Sequence, residues 1–137
     1  MRKKILLLLF SILSFGTNSF AQYHKDILGE NFIQQTIQMP DDYEGKVIIT
    51  IIRKEAAHPT TKAILYVHGF NDYFFQKSLA EHFNDAGFNF YAVDLRKYGR
   101  SMLSNQYPFQ VHNLNEYFAD IDTTLQIIKQ EGNHEIL

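Results

Sequence analysis

Cysteine is absent from the 137 residues, which excludes disulfides, thiolate metal sites, a Cys nucleophile and a lipid-modified N-terminal Cys. A basic excess is absent too, with 13 Lys and Arg against 15 Asp and Glu. Repeats and low-complexity tracts are missing, and only one long apolar run exists. That run, residues 5–15, is interrupted by Ser11 and Ser14 and falls short of the roughly 18–20 residues a membrane span needs. Met1-Arg2-Lys3-Lys4 precedes it, and Ser19-Phe20-Ala21 offers small residues at the positions a signal peptidase reads. Residues 1–21 are therefore expected to be a signal peptide cleaved before Gln22, with export to the periplasm or beyond and no stable membrane span. Cleavage removes Arg2, Lys3 and Lys4 and no acid, so residues 22–137 keep 10 basic against 15 acidic side chains, a net −5. That sign argues against a nucleic-acid partner. An exported chain of this size without disulfides must rely on the core of one small domain.

Residues 32–39 read as a modest strand and residues 47–52 as a dense β-branched one, with a turn over residues 40–45, which together suggest an antiparallel hairpin. The pattern then changes. Residues 63–68 (Ala-Ile-Leu-Tyr-Val-His) form a continuous apolar run of the kind buried on both faces of a parallel sheet. Residues 76–86 place Leu79, Phe83 and Ala86 on one helical stripe ending at Gly87, and residues 88–93 are a second buried-type strand closed by Asp94. Asn113 with Glu116 three residues on resembles a capping box, after which Leu114, Phe118, Ile121, Leu125 and Ile128 keep helical spacing up to Gly132. Residues 134–137 look like the start of another strand. An antiparallel entry followed by β-α-β-α predicts an α/β layered sheet.

Two segments carry chemistry. The strand ending in His68-Gly69 lets the chain turn at the carboxyl edge of the sheet, where ligands bind, and the next amide can face that crevice as half of an oxyanion hole. About 25 residues later comes Asp94-Leu95-Arg96-Lys97-Tyr98-Gly99-Arg100-Ser101. Together the two motifs resemble the α/β-hydrolase superfamily, in its branch of serine aminopeptidases, monoacylglycerol lipases and lysophospholipase-like enzymes. There the third strand ends in His-Gly and the fourth runs into Asp-x-Arg-Gly-x-Gly-x-Ser; Lys97 stands where the family usually has Gly. The resemblance covers residues 47–137. It implies the N-terminal part of an α/β-hydrolase fold, over residues 22–137, truncated at the start of the fifth strand. It further implies that the Phe70 backbone N–H is one oxyanion donor, that His68 and Gly69 shape its turn, and that Asp94, Arg96, Gly99 and Ser101 are scaffold beside it. It implies ester or amide hydrolysis through an acyl-enzyme, with no metal and no organic cofactor.

The superfamily's nucleophile lies in Gly-x-Ser-x-Gly just after its fifth strand, with the acid and His following. After residue 21 the serines are Ser78, Ser101 and Ser104, none in that pattern, so no triad member is expected within these residues. The alternative reading is a non-catalytic half-domain that binds a partner, or a complementing C-terminal segment, through an exposed sheet edge. Without a fifth strand, residues 63–68 would form a long open apolar edge, and residues 22–137 alone are expected to fold poorly or aggregate. A third possibility is a small ligand-binding module. His68 is read as hydrogen-bonded structure, because no base–nucleophile–orienter set surrounds it. His82 is read as a solvated surface residue. Asp94 fails as a ribose-binding acid because no Gly-x-Gly-x-x-Gly turn precedes it. Asp120 and Asp122 are read as a charged helix face. The aromatics Phe70, Tyr73, Phe74, Phe75, Tyr98 and Tyr107 either line an apolar acyl pocket or pack beneath further structure.

Overall fold

The computed structural model describes residues 22–29 and 31–137; residues 1–21, expected to be a signal peptide, lie outside the described residues. Among the described residues the strands are β1 (His24–Lys25), β2 (Ile33–Asp42), β3 (Gly45–Lys54), β4 (Lys62–Val67), β5 (Asn89–Asp94) and β6 (Glu135–Ile136). The helices are α1 (Lys77–Asp85) and α2 (Asn115–Gln130), with a 3-10 turn at Gly99–Ser101. One sheet runs in the order β1-β2-β3-β5-β4-β6. β1, β2, β3 and β5 pair antiparallel in succession, whereas β4 is parallel to both β5 and β6. This is the anticipated antiparallel entry followed by parallel β-α-β-α.

The β-branched residues of β3 serve both faces. Ile52 joins Ile64, Phe74, Ala80, Phe90 and Ala92 beneath α1, while Ile51 joins Ala63, Tyr91 and Ile128 beneath α2. Each such aliphatic side chain removed from water contributes about 1.5–3 kcal/mol, which ties the two helical layers to opposite faces of one sheet. The sheet between them is dry: residues 90–94 of β5 are all buried. Gly87, at φ +85°, ends the α1 connection in the left-handed conformation that a helix stop requires.

Three details depart from the pattern read in the sequence. β2 runs through Pro40 to Asp42, because an irregularity between Met39 and Asp42 lets the strand continue past the proline. α2 is rotated relative to the expected stripe. Leu114 and Phe118 are exposed, whereas Asp120, Thr124 and Ile128 are its buried residues. The capping itself is as expected: Asn113 Oδ1 accepts from the Asn115 amide, and Glu116 Oε1 accepts from the amides of His112 and Asn113. Finally, the β4 edge is only half open. β6 pairs with Lys62 and Ala63, and Leu65 N–H donates to Leu137 O, so among the described residues the stretch of β4 without a partner on that side is confined to Tyr66 and Val67.

Candidate functional site

The parallel pair β4 and β5 end side by side, with Val67 opposite Val93, and the loops that follow them meet at the carboxyl edge of the sheet. His68 is the first residue past β4 and is buried. Its Nε2 accepts the Leu95 amide at 3.0 Å, which requires a lone pair there, so Nδ1 carries the hydrogen and donates to Gly69 O at 2.8 Å. Both ring nitrogens are thus committed to backbone. His68 is a clamp between the two strand ends and not a base, as the sequence suggested.

Past the clamp the chain is exposed. Gly69 has no positive φ, and a Cβ added there would meet nothing within 4 Å; the left-handed residue of the loop is Asn71, at φ 57°. Between them, the Phe70 amide donates to no acceptor among the described residues. A backbone donor left free at a strand-to-loop edge is the element an oxyanion site needs, since it is held in place before charge develops. The Phe70 side chain is exposed and leans edge-on against Phe109, ring centroids 5.5 Å apart. From the next residue on, a groove of about 330 Å³ is lined by Asn71, Asp72, Tyr73, Lys97, Met102 and Phe109.

The far side of the loop is fixed by Asp94, which is fully buried. Its Oδ1 accepts the Phe74 amide at 3.0 Å, its Oδ2 accepts the Arg100 amide and Nη1 at 2.9 Å each, and its carbonyl accepts the Ser101 hydroxyl at 2.6 Å. Ser101 is fully buried and used up in that bond, so it is scaffold. Gly99 sits at φ +44°, where a Cβ would come within 2.6 Å of Asp94 Oδ2 and of Tyr73 Cβ. Here glycine is required by close approach as well as by backbone conformation.

Arg96 points away from the groove, to α2. It forms a buried ion pair with Asp120, Nη2 to Oδ1 at 2.7 Å, and its amide also donates to Asp120 Oδ2. Asp120 is therefore no surface charge, which corrects the reading of it as part of a charged helix face. Burial pushes its carboxyl above the usual value against the downward pull of Arg96. On a helix of period 3.6 Asp120 falls one turn before Thr124 and two before Ile128, so the three share the inward face. Asp122 is exposed, and so is His82, as expected.

Lys97, at the family's glycine position, adopts the left-handed backbone that glycine would, at φ 63°. That costs a residue with a Cβ roughly 1–2 kcal/mol. The side chain offsets it by reaching the β2–β3 turn, with Nζ 2.8 Å from Asp42 Oδ2, 2.5 Å from Glu44 Oε2 and 4.3 Å from the centroid of the Tyr43 ring. Burial disfavours the ammonium, but the two acids outweigh it and hold the Lys97 amine well above its ordinary value. Of the aromatics, Phe74 and Tyr98 are core; Phe70, Tyr73, Phe75 and Tyr107 are exposed around the loops.

Larger grooves lie elsewhere. One of about 590 Å³ flanks Tyr23, Arg53 and Glu131 at the amino end of β5, but its polar groups serve one another: Tyr23 and Tyr91 hydroxyls both donate to Glu131. Among the described residues, no group of three or more His, Asp or Glu could hold a metal ion, and no helix is long and apolar enough to cross a membrane.

A family model described as serine aminopeptidase, S33 matches residues 58–136. Among solved structures, a highly thermostable carboxyl esterase from Bacillus coagulans, determined in complex with glycerol, aligns with a TM-score of 0.57 at 20% identity. The alignment covers 75% of this chain and 33% of the esterase, so the chain spans about a third of that protein's length. At this identity the likeness is one of fold. No curated protein matches by sequence.

Proposed function

The chain belongs to the serine aminopeptidase S33 family of α/β-hydrolases, and on that premise we propose that it is the N-terminal portion of an exported serine hydrolase cleaving carboxylic ester or amide bonds through an acyl-enzyme. The observation that carries the proposal is the free Phe70 amide, the first donor past the His68-Gly69 turn and one residue before Asn71, which lines a groove with Tyr73 and Phe109. In this reading the nucleophile, acid and His come from outside residues 1–137, since none of Ser78, Ser101 and Ser104 stands in Gly-x-Ser-x-Gly. The nucleophile attacks the carbonyl carbon, and its proton passes to the catalytic His. The Phe70 N–H and a second amide then stabilise the oxyanion until the leaving group departs with that proton. The substrate is a small-molecule ester or amide, and the aromatic surroundings of the groove favour an apolar acyl group.

Phe70→Pro tests this in the full-length protein, because it deletes the N–H while Phe70→Ala keeps it. Loss of one oxyanion donor costs about 100–1,000-fold in kcat. Phe70→Pro is expected to fall by that amount on p-nitrophenyl esters, with Phe70→Ala staying within about 10-fold of wild type. Equal activity in the two variants contradicts the role.

A second reading is a non-catalytic half-domain that binds a partner or a complementing segment through the sheet edge at β4, where Val67 is exposed; strand addition at such an edge is a recurrent mode of partner binding. Binding of a complementing segment without hydrolysis would favour it.

A further inference from the structure

The Phe70 amide is useful only if its loop is held still, and the loop has two ends. At the near end the His68 ring bonds to Gly69 O and to the Leu95 amide. At the far end the backbone of Phe74 is gripped on both sides, its N–H by Asp94 Oδ1 at 3.0 Å and its C=O by Arg100 Nη1 at 2.9 Å. The Phe74 ring is buried against Phe32, Tyr66 and Phe90, which blocks sideways slip.

Arg100 is the joint of this far clamp, and its orientation is set from a distant part of the chain. The Asp26 carboxylate takes the guanidinium in a fork, Nε to Oδ2 at 2.7 Å and Nη2 to Oδ1 at 3.0 Å, leaving Nη1 to bridge Phe74 O and Asp94 Oδ2. Asp26 is itself locked: it is buried, its Oδ1 accepts the Leu28 amide at 2.8 Å, and its own amide donates to Phe32 O. The planar fork fixes which way the third nitrogen points. A segment just before β2, 74 residues away in sequence, therefore aims the nitrogen that holds the loop.

We propose that Asp26, acting through Arg100, is a positioning residue for the oxyanion-binding amide of Phe70. The proposal rests on the hydrolase reading above and adds to it a role for the segment between β1 and β2. Because the amide's placement matters in the transition state, the effect belongs in kcat. Misplacement on the scale of 1 Å costs about 100-fold, and a loosened clamp that still retains the Asp94 bond costs about 10-fold.

The experiment uses the full-length protein with p-nitrophenyl butyrate as substrate and a fluorophosphonate as an independent probe of the nucleophile. Asp26→Asn keeps the shape and removes the charge. Arg100→Lys keeps the charge and removes the fork. Asp26→Glu restores a carboxylate. The expected result is that both Asp26→Asn and Arg100→Lys lose about 10-fold in kcat with KM within twofold, at a temperature where circular dichroism shows them folded, and that Asp26→Glu regains a substantial part. A purely structural Asp26 would lower the melting temperature and leave kcat of the folded variant unchanged, which overturns the proposal. A rise in KM with kcat held also overturns it. If wild type neither turns over nor labels, the hydrolase reading itself has failed. If wild type is active and Asp26→Asn matches it, the positioning role alone has failed.

Discussion

Gly99 and Gly69 belong to the two loops that leave the parallel strands β5 and β4, yet the structure asks different things of them. At Gly99 a methyl group would meet Asp94 Oδ2 and Tyr73 Cβ at 2.6 Å, in a backbone at φ +44°. Gly99→Ala is expected to destabilise by about 1–3 kcal/mol, through overpacking and strain together. At Gly69 the space is open and φ is not positive, so Gly69→Ala is expected to change stability by less than about 1 kcal/mol. Urea denaturation of the two variants checks both; similar losses would contradict the account of the loop. The sequence motif marks both glycines alike, because a motif records that a residue recurs and not which atoms surround it. His68 was legible as structure in the sequence, since no partners for catalysis were near it. Its two backbone bonds were not, as the Leu95 amide lies 27 residues away.

At the scale of elements, the β2–β3 turn and the segment after β5 are held together by charge. Lys97 meets Asp42 and Glu44, the Tyr107 amide donates to Glu44 Oε1, and the Tyr43 ring stacks on His112 with centroids 3.5 Å apart. At Asp42 burial pushes the carboxyl up, but the Lys97 ammonium outweighs it and the value ends below the ordinary 3.8. At Glu44 the bond to Lys97 leads, and the value lies below 4.5. Depressed carboxyls bind fewer protons folded than unfolded, so the stability they lend is complete above about pH 4.5 and is lost as pH falls through the depressed values. Asp120 is raised and works in the opposite sense, but Lys97 does not touch it. The difference between wild type and Lys97→Met therefore isolates the turn. Lys97→Met is expected to be less stable at pH 7 and to show a shallower loss on acidification below pH 4.5; parallel pH curves for the two proteins would contradict it. The strands β2 to β6, the helices and their order were legible from periodicity and stop signals. The phase of α2 was not, because its inward face carries Asp120 and Thr124, polar residues that only a buried partner such as Arg96 makes tolerable. β1 was equally hidden: two exposed residues, His24 and Lys25, carry no hydrophobic pattern.

Over the whole molecule, the order β1-β2-β3-β5-β4-β6 gathers the His68 and Asp94 motifs at one edge of the sheet, while α1 and α2 cover its two faces. The resemblance in sequence led to this architecture, and the family match together with the fold of the esterase bears it out. Substrate identity was not legible, since a groove lined by Tyr73 and Phe109 together with Asp72 and Lys97 admits ester and amide alike. The Phe70 amide makes sense as half of an oxyanion site only if a serine nucleophile is brought to it. The most direct test is fluorophosphonate labelling of the full-length protein followed by peptide mapping of the modified residue. The account predicts a single labelled serine in a Gly-x-Ser-x-Gly sequence on the C-terminal side of Leu137, with labelling blocked by a competing ester. Absence of labelling in the folded protein, or modification at Ser78, Ser101 or Ser104, would contradict it.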